Sequence, residues 1–371
     1  MEMRTFDKLG VTSSILGFGC MRFPTIDGII DEERSKKMIW DAMDKGVTYI
    51  DTAYPYHQGL SEAFVGRALK DRDRSTFTIA TKMPLWACNT LEEAKAIFAE
   101  QLERLQMDYV DFYMLHAMDK VKFQKAKDLG IITFCEELKE KGLIKHFGFS
   151  FHDNYEAFEE IIKYRDWDFC QLQLNYMDMD IQAGLKGHNL AEELGVPVIV
   201  MEPIKGGALA SFGPEINGMF HEMDATKSIA SFAMRYVAAL SNVKVILSGM
   251  STEEQVEDNL DTFINYVPYT QEDLAQVTEI VKAIKARVQN GCTGCKYCMP
   301  CPVGIDIPGV FAAWNKMHMY SNKEQAMNEW TKRPDSEKPV NCIKCGKCET
   351  VCPQQIKIRE DLDKVDEAFK A

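Results

Sequence analysis

Up to about residue 265 the chain alternates short apolar runs, many of them β-branched, with longer stretches whose apolar positions recur every three to four residues. A short run that is apolar throughout suits a strand buried on both faces, and the longer stretches have the period of helices with one buried side. Strand then helix, repeated, is the pattern of βα units around a parallel sheet. It predicts strands at Ile15–Cys20, Val47–Asp51, Phe77–Thr81, Val110–Leu115, His146–Ser150, Phe169–Gln173, Pro197–Met201 and Val243–Leu247. Helices are predicted at Asp31–Lys45, Leu91–Leu105 and Ser251–Phe263, the last opening on a Ser-x-x-Glu capping box of Ser251 and Glu254. Eight strands in this order predict an α/β fold closed as a (β/α)8 barrel. A further helix over Gln271–Gln289 leads to Gly291 and the first of a series of cysteines.

The most apolar stretch, Ser228 to Leu247, carries Arg235 and Lys244, so it predicts a buried helix followed by a strand. No run reaches the roughly 18 apolar residues of a membrane span, and MEMRTFDKLG lacks the features of a secretory signal. The expectation is a cytoplasmic protein with no membrane partner. The composition changes near residue 288. A barrel domain is expected over 1–287, and a second, small domain over 288–371 with short elements, a polar connector at Thr331–Val340 and eight of the 12 cysteines. The whole chain carries a net charge of −13; the second part has twelve basic and eleven acidic side chains, so the barrel carries about −14. Such a charge excludes nucleic-acid binding as the main activity.

Cys20, Cys88, Cys135 and Cys170 are scattered and read as core residues. The other eight form two runs, Cys292-x2-Cys295-x2-Cys298-x2-Cys301-Pro and Cys342-x2-Cys345-x2-Cys348-x3-Cys352-Pro. In a reducing compartment, clustering of this kind points to metal rather than disulfides. Three thiolates on a tight loop hold three corners of a [4Fe-4S] cubane and a distant fourth supplies the last. The second run has bacterial ferredoxin spacing, in which the fourth cysteine serves the other cluster. By that rule Cys292, Cys295 and Cys298 pair with Cys352, and Cys342, Cys345 and Cys348 with Cys301. The first run is one residue shorter before its last cysteine. Two structural zinc sites are the alternative, since CxxC pairs also ligate zinc.

Chemistry in such a barrel sits at the C-terminal ends of its strands. Strand two ends in Asp51, followed by Thr52-Ala53-Tyr54-Pro55-Tyr56; strand three ends in Thr81-Lys82 and strand four in Leu115-His116. A carboxylate, a phenol, an ammonium and an imidazole would converge there. A phenol with a pKa near 10 becomes a usable proton donor when a cation stabilises its anion, which Lys82 can do with Asp51 holding it. His116 would direct a substrate oxygen. Trp86, Met118 and Trp167, expected on loops after strands three, four and five, would line an apolar pocket or simply pack.

These residues resemble the aldo-keto reductase family. The D-T-A-x-x-Y signature is matched by Asp51 to Tyr56, with Ser61-Glu62 further along, and the T-K and L-H strand ends match too. The likeness runs from about Arg4 to Phe263, and the whole chain resembles the bacterial branch that carries a C-terminal ferredoxin-like iron–sulfur domain. Phe149-Ser150-Phe151-His152 and the segment from Glu202 to Gly207 also resemble that branch. The resemblance implies NAD(P)(H) bound without a Rossmann fingerprint, and no G-x-G-x-x-G follows a strand here. It implies that Ser150 and Gln171 hold the carboxamide and that Ile204, Gly206 and Gly207 follow the pyrophosphate. Ser248, Gly249, Asp258 and Asn259 would grip the adenosine end. Met201 stands where a stacking Tyr is usual, and Phe151 where an Asn often follows the Ser. Gly249 and Gln255 replace the basic residues that clamp a 2′-phosphate, which leans the expectation toward NADH.

The expected function is therefore hydride reduction of a small carbonyl substrate, with Tyr56 as general acid, coupled to two iron–sulfur clusters or merely stabilised by them. Clusters move single electrons whereas hydride moves two together, so clusters taking part in turnover would need a converter such as a flavin, for which no motif is visible. The second reading is an electron-transfer protein to which ferredoxin or flavodoxin docks, Lys296, Lys344 and Lys347 beside the cysteines attracting an acidic partner. A third is a non-catalytic nucleotide and redox sensor.

Overall fold

Parallel neighbours must be joined by a long crossover, and each helical stretch supplies one. In the computed structural model, which describes residues 1–370, eight strands close into a barrel. They are β1 (Leu16–Gly19), β2 (Tyr49–Asp51), β3 (Thr78–Met83), β4 (Val110–Met118), β5 (Ile144–Phe151), β6 (Phe169–Gln173), β7 (Val198–Met201) and β8 (Val243–Gly249). Spatial order follows chain order, and β8 pairs with β1 to close the ring. All eight predicted strands are present, β6 at the predicted bounds. β4 runs three residues further than expected because its pairing with β5 slips between Leu115 and Met118 and then resumes.

Inward side chains alternate with outward ones along each strand. Tyr49, Ala80, Phe112, Met114, Phe169, Ile199 and Val245 fill the interior as one buried group. The periodicity does not reveal the antiparallel hairpin of Met3–Phe6 and Val11–Ser14, each arm only four residues long. Its fully buried Phe6 packs 5.4 Å from Phe112 and stoppers the end of the interior where the strands begin.

The first two predicted helices form at Glu32–Asp44 and Leu91–Leu105, capped by Asp31 and Thr90. The third forms at Glu253–Ile264, but its cap is Thr252, whose hydroxyl accepts the Gln255 amide. The capping box at Ser251 and Glu254 is thus corrected by one residue, because the Ser251 hydroxyl donates instead to the Arg22 carbonyl. Trp167 and Met118 are corrected as well. Trp167 precedes β6 and is buried against Phe147 and Phe149, and Met118 is a buried residue of β4, so neither is a loop residue of the pocket.

The chain forms two compact units, one of residues 1–206 with 231–270, the other of residues 207–230 with 271–371. The barrel lies in the first. In the second, helices Pro214–Met223 and Gln271–Lys285 pack together. A separate core of Phe311, Trp314, Trp330, Leu362 and Phe369 gathers six of the clustered cysteines around it. No described helix is long and apolar enough to cross a membrane.

Candidate functional site

A closed parallel barrel brings every strand's C-terminal end to one rim. There the Lys82 ammonium, buried to 1 % exposure, donates to Asp51 Oδ1 at 2.6 Å and to the Thr52 carbonyl at 2.7 Å. It also lies 4.9 Å from the centre of the Tyr56 ring. The Tyr56 ring meets His116 edge-on at 6.1 Å between centres. Trp86, which is 47 % exposed, also packs on His116, at 4.9 Å between ring centres. The four residues expected from three strand ends are therefore together, with one aromatic wall open to solvent. Tyr56 begins a tight turn in which His57 and Gln58 take φ values of 50° and 59°, and His57 Nε2 accepts the Phe23 amide at 3.2 Å. Two successive non-glycine residues in the left-handed region cost free energy, so the packing around the turn must hold it.

Burial pushes the Asp51 carboxyl up, with Lys82 and Gln171 pulling it back. Burial also disfavours the Lys82 ammonium, but the attraction of Asp51 and Tyr56 outweighs it and the lysine stays above its ordinary value. Tyr56 is raised, by burial first, while Lys82 works against the shift. Desolvation outweighs the cation, and Tyr56 is protonated at neutral pH. Burial, then the charges of Lys82, His152 and Lys122, holds His116 well below its ordinary value, so its imidazole is neutral.

His116 owes its direction to a feature no sequence period discloses. The next residue, Ala117, has φ 50°, which makes the slip in β4. Side chains hold both polar atoms of that residue: its amide donates to Ser150 Oγ at 2.8 Å, and its carbonyl accepts the Lys122 ammonium at 2.9 Å. A bulge of this kind re-aims the side chain beside it.

The candidate cofactor residues occupy the other half of the rim, on β5 to β8. Gln171 is buried and its amide donates to Asp51 Oδ2 at 3.3 Å, which ties the two halves together. Ser248 accepts from Asn259 Nδ2 at 2.9 Å, and both are buried. Met201 ends β7 half-buried, and Ile204 packs on the barrel core. Gly206 and Gly207 take φ values of 64° and 98° in a turn that ordinary side chains resist. Asp258 lies on the helix that carries Asn259. Sequence reasoning missed Arg22: its stem lies across Gly249, 3.1 to 3.3 Å from where a β-carbon would stand, and its guanidinium reaches Gly206. No ion pair is made by Arg22 among the described residues. A glycine at 249 leaves the space this arginine fills, a pairing that residue-by-residue comparison cannot register.

In the second unit the eight clustered cysteines surround two hollows. Cys292, Cys295, Cys298 and Cys352 line one; Cys301, Cys342, Cys345 and Cys348 line the other, with Cys298 bordering both. Lys296, Lys344 and Gly346 take positive φ and curl the two loops around them. Among the described residues no three Cys, His, Asp or Glu side chains converge on the position of a single ion. Four sulfurs around a hollow fit a multi-atom cluster, and the crossed grouping is that expected from the spacing. Cys20, Cys88, Cys135 and Cys170 are all buried in the first unit.

Comparison with known proteins places these observations. Residues 15–282 match the aldo/keto reductase family and residues 291–356 match a 4Fe-4S dicluster domain. L-galactose dehydrogenase of Arabidopsis thaliana is 27 % identical over 77 % of this chain and 96 % of its own length. An NADH-specific methylglyoxal reductase of Escherichia coli is 25 % identical over 69 % of this chain and 89 % of its own. Among solved structures, the holo form of an aldo-keto reductase from Bacillus halodurans is similar with a TM-score of 0.64, at 27 % identity, covering 76 % of this chain and 96 % of that one.

Proposed function

The chain belongs to the aldo/keto reductase family, and on that premise we propose that it interconverts a small carbonyl compound and its alcohol, with Tyr56 as the proton donor. It is an oxidoreductase of that family joined to a 4Fe-4S dicluster domain. The observation that carries the proposal is the buried Lys82 ammonium, bonded to Asp51 at 2.6 Å and set 4.9 Å over the Tyr56 ring. A bound reduced nicotinamide supplies the hydride. Tyr56 holds its proton through the neutral range and gives it to the carbonyl oxygen, and Lys82 stabilises the phenolate left behind. Asp51 keeps Lys82 charged inside the barrel. Neutral His116 donates a hydrogen bond to the substrate oxygen, and Trp86 gives the pocket an aromatic wall.

Ser150, Gln171 and Met201 would hold the nicotinamide, Ile204, Gly206 and Gly207 the pyrophosphate, and Ser248, Gly249, Asp258 and Asn259 the adenosine. Arg22 supplies a cation toward the phosphates that the strand ends lack, which removes the grounds for favouring NADH over NADPH. The eight cysteines would hold two [4Fe-4S] clusters, which would supply one-electron transfer. A second reading has its own support, since Cys298 borders both hollows and Lys296 and Lys347 are exposed beside them. In it ferredoxin or flavodoxin exchanges electrons through the clusters.

The test is anaerobic purification, iron and sulfide quantitation, a carbonyl panel with NADH and NADPH, and the same panel with Tyr56→Phe. Loss of about 10² to 10⁴ in rate with nicotinamide binding preserved is expected; retained turnover sinks the assignment. Bleaching of the cluster absorption by the nicotinamide alone would put the clusters in the catalytic circuit. Bleaching only by reduced ferredoxin would favour the second reading.

A further inference from the structure

Glu62 is a carboxyl group with no solvent exposure, outside the proposed chemistry, and it lies two shells behind Lys82. Its Oε1 accepts from Thr81 Oγ1 at 2.6 Å and from Gln101 Nε2 at 2.8 Å, while Oε2 accepts from Arg104 at 3.3 Å. Gln101 Nε2 also donates to the main-chain carbonyl of Lys82 at 3.0 Å, and its Oε1 accepts from Tyr113 at 2.7 Å. Glu62 thus holds the Thr81 side chain directly and reaches the Lys82 main chain through Gln101.

The residue before it grips the other end of the same lysine. Ser61 Oγ pairs with Thr52 Oγ1 at 2.9 Å and donates to the Cys20 carbonyl at 3.1 Å. Thr52 is the residue whose carbonyl accepts the Lys82 ammonium. Both residues open the helix Ser61–Leu69, and that helix can stand so close because its Gly66 has no side chain. A β-carbon there would lie 2.5 to 2.6 Å from the main chain of Arg104 and Leu105 on the neighbouring helix. The close crossing brings Gln101 and Arg104 within reach of Glu62.

We infer that Ser61 and Glu62 are positioning residues that fix the Lys82 ammonium against the Tyr56 ring, Glu62 by holding Thr81 and the Gln101 amide that bonds the Lys82 backbone, and Ser61 by holding its acceptor. The inference rests on the role given to Lys82 above, and it has a readout independent of turnover. A long side chain in a site of this kind loses catalytic power when it shifts by an ångström. The hydrogen bonds, rather than the charge of Glu62, carry the effect: in Glu62→Gln the amide oxygen still accepts from Thr81 and Gln101, and only the Arg104 contact is lost.

The experiment is ¹⁵N-lysine NMR of the full-length holoprotein, with the protected ammonium resonance of Lys82 assigned by its absence in Lys82→Met. Glu62→Ala and Gln101→Leu should broaden or lose that resonance. On any carbonyl the wild type reduces they should lower kcat about tenfold or more while KM moves little. Glu62→Gln should keep the resonance and most of kcat. A lower melting temperature in Glu62→Ala and Gln101→Leu with the resonance and kcat intact would overturn the inference and leave a purely structural network. If Glu62→Ala does not fold, Gln101→Leu and Glu62→Gln decide by the same readouts. If no carbonyl is turned over, the resonance alone decides, so failure of the proposed activity is separable from failure of the positioning role.

Discussion

Lys82→Met is the perturbation that tests the heart of the site, and its consequence depends on pH in a direction the structure fixes. Removing the ammonium takes away the 2.6 Å partner of Asp51, a carboxyl group only 2 % exposed, and leaves it one donor, Gln171 at 3.3 Å. Breaking a buried pair by deleting one member costs about 3 to 5 kcal/mol while the remaining charge stays uncompensated. Burial already raises the Asp51 carboxyl, and Lys82 is the largest influence opposing the shift, so in the variant it climbs further. A folded-state pKa above the unfolded one means the folded form binds the extra proton. The variant should therefore be most stable below the unfolded carboxyl range and should lose stability as pH rises toward the raised folded value, at about 1.4 kcal/mol per pH unit. In the wild type Lys82 opposes the rise of Asp51, so the dependence is weaker there, and Lys82 itself, held above its ordinary value, gives up its contribution only as pH rises through that raised value. The assay is urea unfolding followed by circular dichroism from pH 5 to 9. The double variant Asp51→Asn/Lys82→Met, which buries two neutral groups instead of one charge, should recover most of the loss and none of the activity. A pH-independent loss in Lys82→Met, or a double variant as unstable as the single, would refute the claim that an unpaired Asp51 is the source.

Burial holds Tyr56 above its ordinary value and keeps His116 neutral. kcat for carbonyl reduction should therefore be flat across the neutral range and fall only where the phenol ionises, above the ordinary phenol range. Oxidation of the alcohol should rise toward the same limit, and initial-rate pH profiles in both directions check the pair. Cys352→Ser removes one corner of the hollow lined by Cys292, Cys295 and Cys298; iron per chain should fall from about eight toward about four. An equal loss from both hollows would refute the crossed grouping. Arg22→Ala should weaken nicotinamide dinucleotide binding about tenfold by fluorescence titration, as expected for loss of one charge-assisted hydrogen bond to a phosphate. Comparing NADPH with NADH shows which phosphate is involved: a selective loss for NADPH marks the 2′-phosphate, an equal loss the pyrophosphate.

The barrel was legible because a strand buried on both faces must be apolar throughout and its crossover helix must carry one apolar stripe, so the two periods alternate along the chain. The site residues were legible for a related reason. A parallel closed sheet has one rim for all its strand ends, so polar residues ending consecutive apolar runs, such as Asp51, Lys82 and His116, must meet. The cysteine grouping followed from spacing alone. Hairpin arms of four residues, by contrast, carry too few positions to show a period, and the identity of Phe6 as a stopper depends on a partner, Phe112, more than a hundred residues away.

What stayed hidden are interactions in which one residue's meaning is set by another that is distant in the chain. Ala117 can hold its left-handed conformation because Ser150 and Lys122 satisfy its amide and carbonyl, yet no local pattern marks an alanine for φ 50°. Gly249 reads as the loss of a cation until Arg22 is found lying across it. Ser61 and Glu62 read as the polar start of a helix until Gly66 lets that helix approach its neighbour and Gln101 links the carboxyl to the Lys82 backbone. In each case the deciding quantity is a distance between segments, which composition and periodicity do not contain. The ion pair at the centre is the limiting example: sequence places Lys82 beside Tyr56, but whether cation or burial governs the phenol depends on how completely water is excluded. In this barrel burial governs it, and the Tyr56 phenol keeps its proton through the neutral range.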